Sequence, residues 1–388
     1  MEHIVIIGGG VMGLSIARHL ADTHCEVSII DRSTPRMSAS YAAGGMLGAQ
    51  NEFFEESPLY RLAMKSRALM PNTAYRLHQE TGIDIEFQSY GLIKLATETR
   101  HVNALRAQYT FLKQDDHRLH WYNNHALQQH FPQLNPETTA AFKIHDDGQV
   151  NAHLYTKALT QAVALQKNTT LHLNTEVLDI TQHVEGGYTL NTSACHIHAN
   201  ILVVAAGAWS GQLLQSLNVD LPTRPVKGDV KLIQASRPIV NTTLFNMNGC
   251  YIVPKKTNRY LIGATSEVDN WSTQNHPDNL KWLDDKSQAM LPQLKHEQTL
   301  KTWTGIRPIT EDGWPVMGKV SDTLWVSTGH YRNGILLSPI VGKLIAQAIQ
   351  GEADALRELQ PFSPQIRQKQ KELAFKCLTD YPYYINRN

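Results

Sequence analysis

The segment HIVIIGGGVMGLSIARHLADTHCEVSIID, residues 3–31, decides the fold. His3 to Ile7 is an apolar run suited to a strand covered on both faces. Residues 11–22 are helix formers, with Leu14, Ala17, Leu20 and Ala21 at helical spacing. Residues 27–30 form a second buried strand that ends at Asp31. This βαβ opening seeds a parallel sheet. Between the first strand and the helix, Gly8, Gly10 and Gly13 spell G-x-G-x-x-G. Gly8 permits a tight turn, Gly10 leaves room for a pyrophosphate, and Gly13 lets the helix pack closely on the strand. The first turn, Val11 and Met12, then offers free N–H groups and a positive dipole end to phosphates. Asp31 stands at the end of the second strand, where a carboxylate accepts from ribose hydroxyls. The expectation is a dinucleotide site, and the motif alone leaves NAD and FAD open.

The rest of the chain narrows that choice. Residues 35–56 are small and loop-like, with Ser38, Ser40, Ala42, Ala43, Gly44, Gly45 and Gly48 suited to a backbone that approaches a ligand closely. A helix over 58–81 follows, then strand-like runs over 85–96 and a polar, partly helical stretch over 97–135. A helix is expected over 150–165, a strand over 170–180, and a buried strand over 200–205 that runs into Gly207, Ala208 and Trp209. From 221 to 309 the texture is β, with alternation over 230–233, 250–254, 260–264 and 300–303 and turn residues between. A short strand over 324–327 leads through a loop, 329–337, into a helix with Ser338 as N-cap, Pro339 at N1 and Gly351 at C′. A nicotinamide dehydrogenase continues into further βαβ units. Here the chain leaves after Asp31 and returns to α/β texture at two later places, as two-domain flavoproteins do. The expected fold is α/β: a Rossmann-like FAD-binding domain whose parallel sheet is discontinuous in sequence, plus a substrate domain with a mainly antiparallel β-sheet. The expected limits are 1–80, 147–220 and 306–365 for the first, 81–146 and 221–305 for the second, and 366–388 for a C-terminal tail.

Composition sets bounds. With 388 residues, 42% hydrophobic and 18% charged, the chain has ample core for two domains. Lys plus Arg number 36 against 35 Asp plus Glu, so no global field recruits polyanions and no nucleic-acid partner is expected. Cys25, Cys195, Cys250 and Cys377 show no paired spacing, which implies neither a metal site nor a disulfide framework. No signal segment is recognised, and the longest apolar stretch, residues 201–209, falls far short of the roughly 20 residues that span a bilayer. A cytoplasmic location without membrane attachment is expected. Most of the 18 histidines, such as His117, His120 and His125, lie in polar stretches, and His330 alone stands beside a site motif.

A set of loop motifs carries a more specific resemblance. SYAAGGMLGA (40–49), VVAAGAWS (203–210), PVKG (225–228), CYIVP (250–254), GAT (263–265), GIRP (305–308) and GHYRNGILL (329–337) occur in an order that resembles the D-amino acid oxidase family of flavoproteins, and within it the glycine-oxidising branch linked to thiamin biosynthesis. The likeness covers nearly the whole chain. It implies a noncovalent FAD, with its adenine end at Gly8, Gly10, Val11, Met12, Gly13, Asp31, Arg32 and the Val177 backbone. Ser40, Ala43, Gly44, Gly45, Met46 and Leu47, with Ala206, Gly207 and Trp209, would follow the cofactor toward its ring. Arg332, Asn333, Gly334, Ile335 and Leu336 would approach the flavin's pyrimidine edge, where N–H donors stabilise negative charge.

On the substrate side the resemblance makes Arg307 the carboxylate clamp, since a guanidinium fork pairs bidentately with a carboxylate. Tyr251 would donate to the same carboxylate, and Arg332 would stand close to the substrate amine. Gly249 and Ser266 are smaller than the side chains of some relatives and are expected to widen the substrate cavity. The implied chemistry is hydride transfer from Cα of glycine, sarcosine or D-alanine, giving an imine and then glyoxylate and ammonia in the case of glycine, with molecular oxygen reduced to hydrogen peroxide. A homo-oligomer is implied by resemblance alone. A D-amino acid dehydrogenase with a quinone acceptor is the near alternative. A tRNA-modifying flavoprotein is disfavoured by the balanced charge and the lack of a basic appended domain.

Overall fold

The computed structural model describes residues 1–21, 23–32 and 39–370. Asp22, Pro35, Ser38, Cys377 and the tail from 371 onward lie outside the described residues.

The βαβ opening forms as expected, with strand His3–Ile7, helix Val11–His19 and strand Glu26–Asp31. Its two strands sit inside a six-stranded sheet ordered Val316–Lys319, Leu324–Thr328, Ile201–Val204, His3–Ile7, Glu26–Asp31, Thr169–Leu173. Every pairing is parallel except that of the edge strand Val316–Lys319. The central strands are apolar because helices cover one face and a three-stranded sheet, Val177–Gln182, Tyr188–Thr192 and His196–Ala199, covers the other.

The backbones at the opening turn approach too closely for side chains. A Cβ on Gly13 would lie 2.0 Å from the Gly8 carbonyl oxygen, and one on Gly8, at φ +116, would lie 2.3 Å from that of Ala205. Glycine is thus required where the first strand, its helix and the strand Ile201–Val204 converge.

The second sheet has nine strands and is antiparallel except where Thr243–Asn246 pairs with Leu92–Ala96. Its long members, Arg224–Gln234 and Gln298–Ile309, pair along their whole lengths. The latter crosses residues 305 and 306, an expected domain limit, without a break. Helix Pro277–Gln288 packs on the outer face over Leu244, Ile252 and Ile262. The inner face contributes Phe245, Tyr251 and Val253 to the core shared with the helices of the parallel sheet.

Two expectations change. The single strand expected over 170–180 is two strands in different sheets, because Asn174 adopts φ 55 and turns the chain after Leu173. The last long helix begins at Gly334 rather than after Ser338, with Asn333 as N-cap, so Ser338 and Pro339 lie within it. Pro339 has no N–H for the Ile335 carbonyl four residues back. The Ser338 hydroxyl fills that place, donating to Ile335 O at 3.0 Å. Having spent its proton there, Ser338 Oγ accepts from the Tyr155 hydroxyl at 2.9 Å. The helix C-terminus is as expected, with Gly351 at φ +87 and Glu352 N–H on Gln347 O at 3.0 Å. By contrast, the helix expected over 58–81 is observed as Pro58–Thr81. Ser57 accepts from the Tyr60 N–H at 3.1 Å and Gly82 closes the helix at φ 70.

Ser338→Ala leaves both the Ile335 carbonyl and the Tyr155 hydroxyl unsatisfied in a dry interior, and it is expected to cost about 1–3 kcal/mol. Urea denaturation of the purified protein measures this, and Tyr155→Phe added to Ser338→Ala recovers part of the loss.

Candidate active site

A cavity of ≈ 580 Å³ is lined by loops of both large sheets. Two helix starts open on it. Helix Val11–His19 has Gly10 as N-cap and helix Gly334–Ile349 has Asn333, and neither cap residue accepts a side-chain bond from its helix. Their first backbone bonds run from Leu14 N–H to Gly10 O and from Leu337 N–H to Asn333 O. The N–H groups before those bonds have no carbonyl within the helix, so each start carries partial positive charge. Ser40 Oγ takes one of them, the Val11 N–H, at 3.1 Å.

Most residues expected to hold the cofactor line this cavity. They are Gly8, Gly10, Val11, Met12, Asp31 and Arg32 at one end, then Ser40, Ala43, Gly44, Gly45 and Met46, then Val177, Ala206, Gly207 and Trp209, with Arg332, Gly334 and Ile335 near the second helix. Gly13, Leu47, Asn333 and Leu336 do not line it. Gly13 sits under the turn against Gly8, Leu47 and Leu336 are core residues, and Asn333 caps its helix. Asp31 has a role beyond the one expected. Its Oδ2 accepts the Gly9 N–H at 2.6 Å and so clamps the glycine turn. Beside it, the Arg32 guanidinium lies 4.1 Å from the Trp209 ring centre, and Trp271 packs on Trp209 at 5.2 Å.

The other end of the cavity holds Arg307 and Tyr251. Arg307 comes from strand Gln298–Ile309, and its Nη2 donates to the Thr265 carbonyl, to Ser266 Oγ at 3.2 Å and to Lys227 O at 3.4 Å. Its Nε and Nη1 donate to no described residue, which leaves donors of the guanidinium for a ligand. A Cβ on Gly228 would fall 2.4 Å from Nη2, which gives the Pro-Val-Lys-Gly motif a steric reason. The Tyr251 ring lies between Gly44 and Gly263, where a Cβ would come within 3.0 Å and 2.4 Å of its atoms respectively. Burial pushes its hydroxyl above the ordinary phenol range, so it is a donor at neutral pH.

Arg332 lines the cavity but points its donors elsewhere. Nε and Nη2 meet the Glu52 carboxylate at 3.0 and 3.4 Å. Gly249 and Ser266, expected to widen the cavity, do not line it. Gly249 makes a buried turn at φ +89, and Ser266 serves Arg307. His330 lines the cavity, and burial lowers it to about 3, so it is a neutral imidazole.

Sequence reading missed three residues here. Glu52 is the partner of Arg332, and nothing in the stretch Gln50 to Glu56 singles it out from Glu55 and Glu56. Lys94 is fully buried on Leu92–Ala96, its Nζ donating to Asn51 O at 2.5 Å. Burial lowers it to about 7, against the pull of Glu52. Lys255, half-buried, ends the Tyr251 strand and ties the loop at Gly44. Its Nζ donates to Gly44 O at 3.0 Å, Gln149 Oε1 at 2.7 Å and Val150 O at 2.9 Å.

A family model described as FAD dependent oxidoreductase matches residues 3–348. The chain belongs to this DAO family. Its glycine turn, the two helix starts whose N-cap residues leave N–H groups free and the cavity onto which they open fit the family's cofactor, FAD, because phosphates and other strong acceptors bind at a helix N-terminus. Glycine oxidase of Geobacillus kaustophilus is 40% identical over 363 residues, which cover 93% of this chain and 96% of that protein. Its crystal structure superposes with a TM-score of 0.87, covering 94% of this chain and 98% of that one. Glycine oxidase of Bacillus subtilis is 31% identical, covering 90% and 93%. An L-proline dehydrogenase from P. horikoshii shares the fold, with a TM-score of 0.82 at 20% identity.

Glu52→Gln removes the carboxylate that pairs with Arg332 and favours the charged form of Lys94 in this buried cluster. The expected loss is about 3–5 kcal/mol of stability, read as a lowered urea midpoint. A loss under about 1 kcal/mol would place this cluster in the class of solvent-screened pairs.

Proposed function

We propose that this protein is an FAD-dependent oxidase of glycine and related small amines or amino acids, such as sarcosine and D-alanine. The observation that carries the reading is Arg307, held by one nitrogen with donors remaining, on the wall of a cavity whose other features fit FAD. The names of the relatives that match almost the whole chain support glycine as substrate.

In this reading the Arg307 fork pairs with the substrate carboxylate and so fixes the direction of the Cα–H bond. The Tyr251 hydroxyl donates to the same carboxylate. Arg332, its charge matched by Glu52, keeps the wall beside the substrate amine rigid rather than binding the carboxylate itself. The helix start at Gly334 and Ile335 favours negative charge in the adjoining part of the cavity. No side-chain base is required when the amine is neutral, and neutral His330 is not one. Bound FAD supplies the acceptor for the hydride that leaves Cα. Glycine, water and oxygen then give glyoxylate, ammonia and hydrogen peroxide.

FAD is held noncovalently in this proposal. Of the described cysteines, Cys25, Cys195 and Cys250, none lines the cavity. The division into an FAD-binding unit around the parallel sheet and a substrate unit around the nine-stranded sheet belongs to the same proposal. So does a homo-oligomeric state. No helix among the described residues is long and apolar enough to cross a membrane. A role in making the thiazole of thiamin is supported by relatives named as bifunctional ThiO/ThiG. In the one from Trichormus variabilis, 31% identical, the match covers 89% of this chain and 52% of that longer protein.

The test is Arg307→Met, assayed for peroxide with glycine, sarcosine and D-alanine. Losing a desolvated charge pair is expected to lower kcat/KM for glycine roughly 100-fold or more while the flavin stays bound. An unchanged kcat/KM contradicts the role of Arg307. In the unmodified protein, rapid reduction of a dye acceptor without peroxide assigns a dehydrogenase instead.

A further inference from the structure

Arg307 is anchored at a single corner. Its three acceptors, Thr265 O, Ser266 Oγ and Lys227 O, all meet Nη2. With Nη2 and the Cδ end both held, the plane can still tilt about the line that joins them, and bidentate pairing tolerates little tilt. Something else must set the plane. The Tyr331 ring faces the guanidinium, with Cζ 5.5 Å from the ring centre, inside the range of a cation–π contact.

The backbone of Tyr331 shows that this placement is specific. Its φ is 43, a left-handed conformation that glycine or asparagine adopts readily and a bulky aromatic residue rarely does. The conformation is held by the Tyr331 N–H, which donates to Pro308 O at 2.9 Å, on the residue that follows Arg307. Tyr331 therefore meets the Arg307 strand twice, once through its backbone and once through its ring. Its neighbours line the same cavity, but Arg332 pairs with Glu52 and His330 is buried. Strained backbone of this kind gathers at functional sites, where the side chain it presents is the reason for keeping it.

We propose that Tyr331 is a positioning residue for carboxylate recognition, its ring fixing the plane of the Arg307 guanidinium so that the donors not held by Thr265 O meet the substrate oxygens. The proposal rests on the reading of Arg307 as the carboxylate clamp. It predicts a requirement for a π face at position 331 rather than for bulk or for a hydroxyl.

The test compares Tyr331→Phe, Tyr331→Leu, Tyr331→Asn and Arg307→Met as flavin-loaded proteins. Two readouts are used: the KM and kcat for glycine, and the Kd for acetate, a carboxylate without an amine, followed by its perturbation of the flavin spectrum. Tyr331→Phe is expected to stay within about two-fold of the unmodified protein on both. Tyr331→Leu and Tyr331→Asn are each expected to raise KM and the acetate Kd about five-fold with kcat little changed. Tyr331→Asn, which suits the left-handed backbone, is expected to bind FAD and to melt no lower than Tyr331→Leu. Tyr331→Leu with normal KM and normal acetate affinity overturns the proposal, since bulk would then suffice. Where Arg307→Met weakens acetate and Tyr331→Leu does not, the positioning role alone fails. Where Arg307→Met itself leaves acetate binding intact, the reading of Arg307 fails first.

Discussion

Two helix starts facing one cavity are the constraint on which the rest of this structure depends. Helices Val11–His19 and Gly334–Ile349 are locked side by side, with Ser15 Oγ donating to Ser338 O at 2.7 Å and Gly342 so close that a Cβ there would lie 2.3 Å from Ser15 Oγ. Packed this way, both deliver their positive ends to the same space, and neither N-cap residue closes its helix with a side chain. Two helix ends of this kind favour negative charge or strong acceptors between them. A dinucleotide with its pyrophosphate at the first helix start and an electron-accepting ring at the second would meet that preference at both points. The close backbone approaches at Gly8 and Gly13 are the means of placing the first helix.

The substrate end is organised by buried charge. Arg307 is anchored by neutral carbonyls and keeps donors for a ligand, whereas Arg332 is neutralised by Glu52. The two arginines of the cavity wall thus differ in what they can do: one is matched to a carboxylate of the protein, and the other keeps donors that could meet a carboxylate from outside. Lys255 adds a third cationic tether, binding the Gly44 loop that the Tyr251 ring also touches. Through that single strand, the substrate sheet and the cofactor loop share a contact at Gly44.

The sequence made the parallel sheet, its glycine turn and the long helix Pro58–Thr81 legible, because local signals agreed there: buried strands, an N-cap serine, a closing glycine. It misplaced the start of the last helix, since Ser338 and Pro339 look like a cap and an N1 residue. Only tertiary structure shows that the Ser338 hydroxyl replaces the bond Pro339 cannot make. It also read 170–180 as one strand, because nothing in the local pattern marks Asn174 as left-handed. Cofactor-side residues were legible from loop motifs fixed by backbone geometry. Glu52, Lys94 and Lys255 were not. Their importance lies in partners 280, 43 and 211 residues away along the chain, which no spacing rule reaches.

The most direct measurement is the visible spectrum of the purified protein before and after anaerobic addition of glycine. The account predicts a yellow protein with flavin absorption that bleaches on adding glycine and recovers when oxygen is admitted. A colourless protein that takes up no FAD, or a flavin spectrum that glycine leaves unbleached, would contradict it.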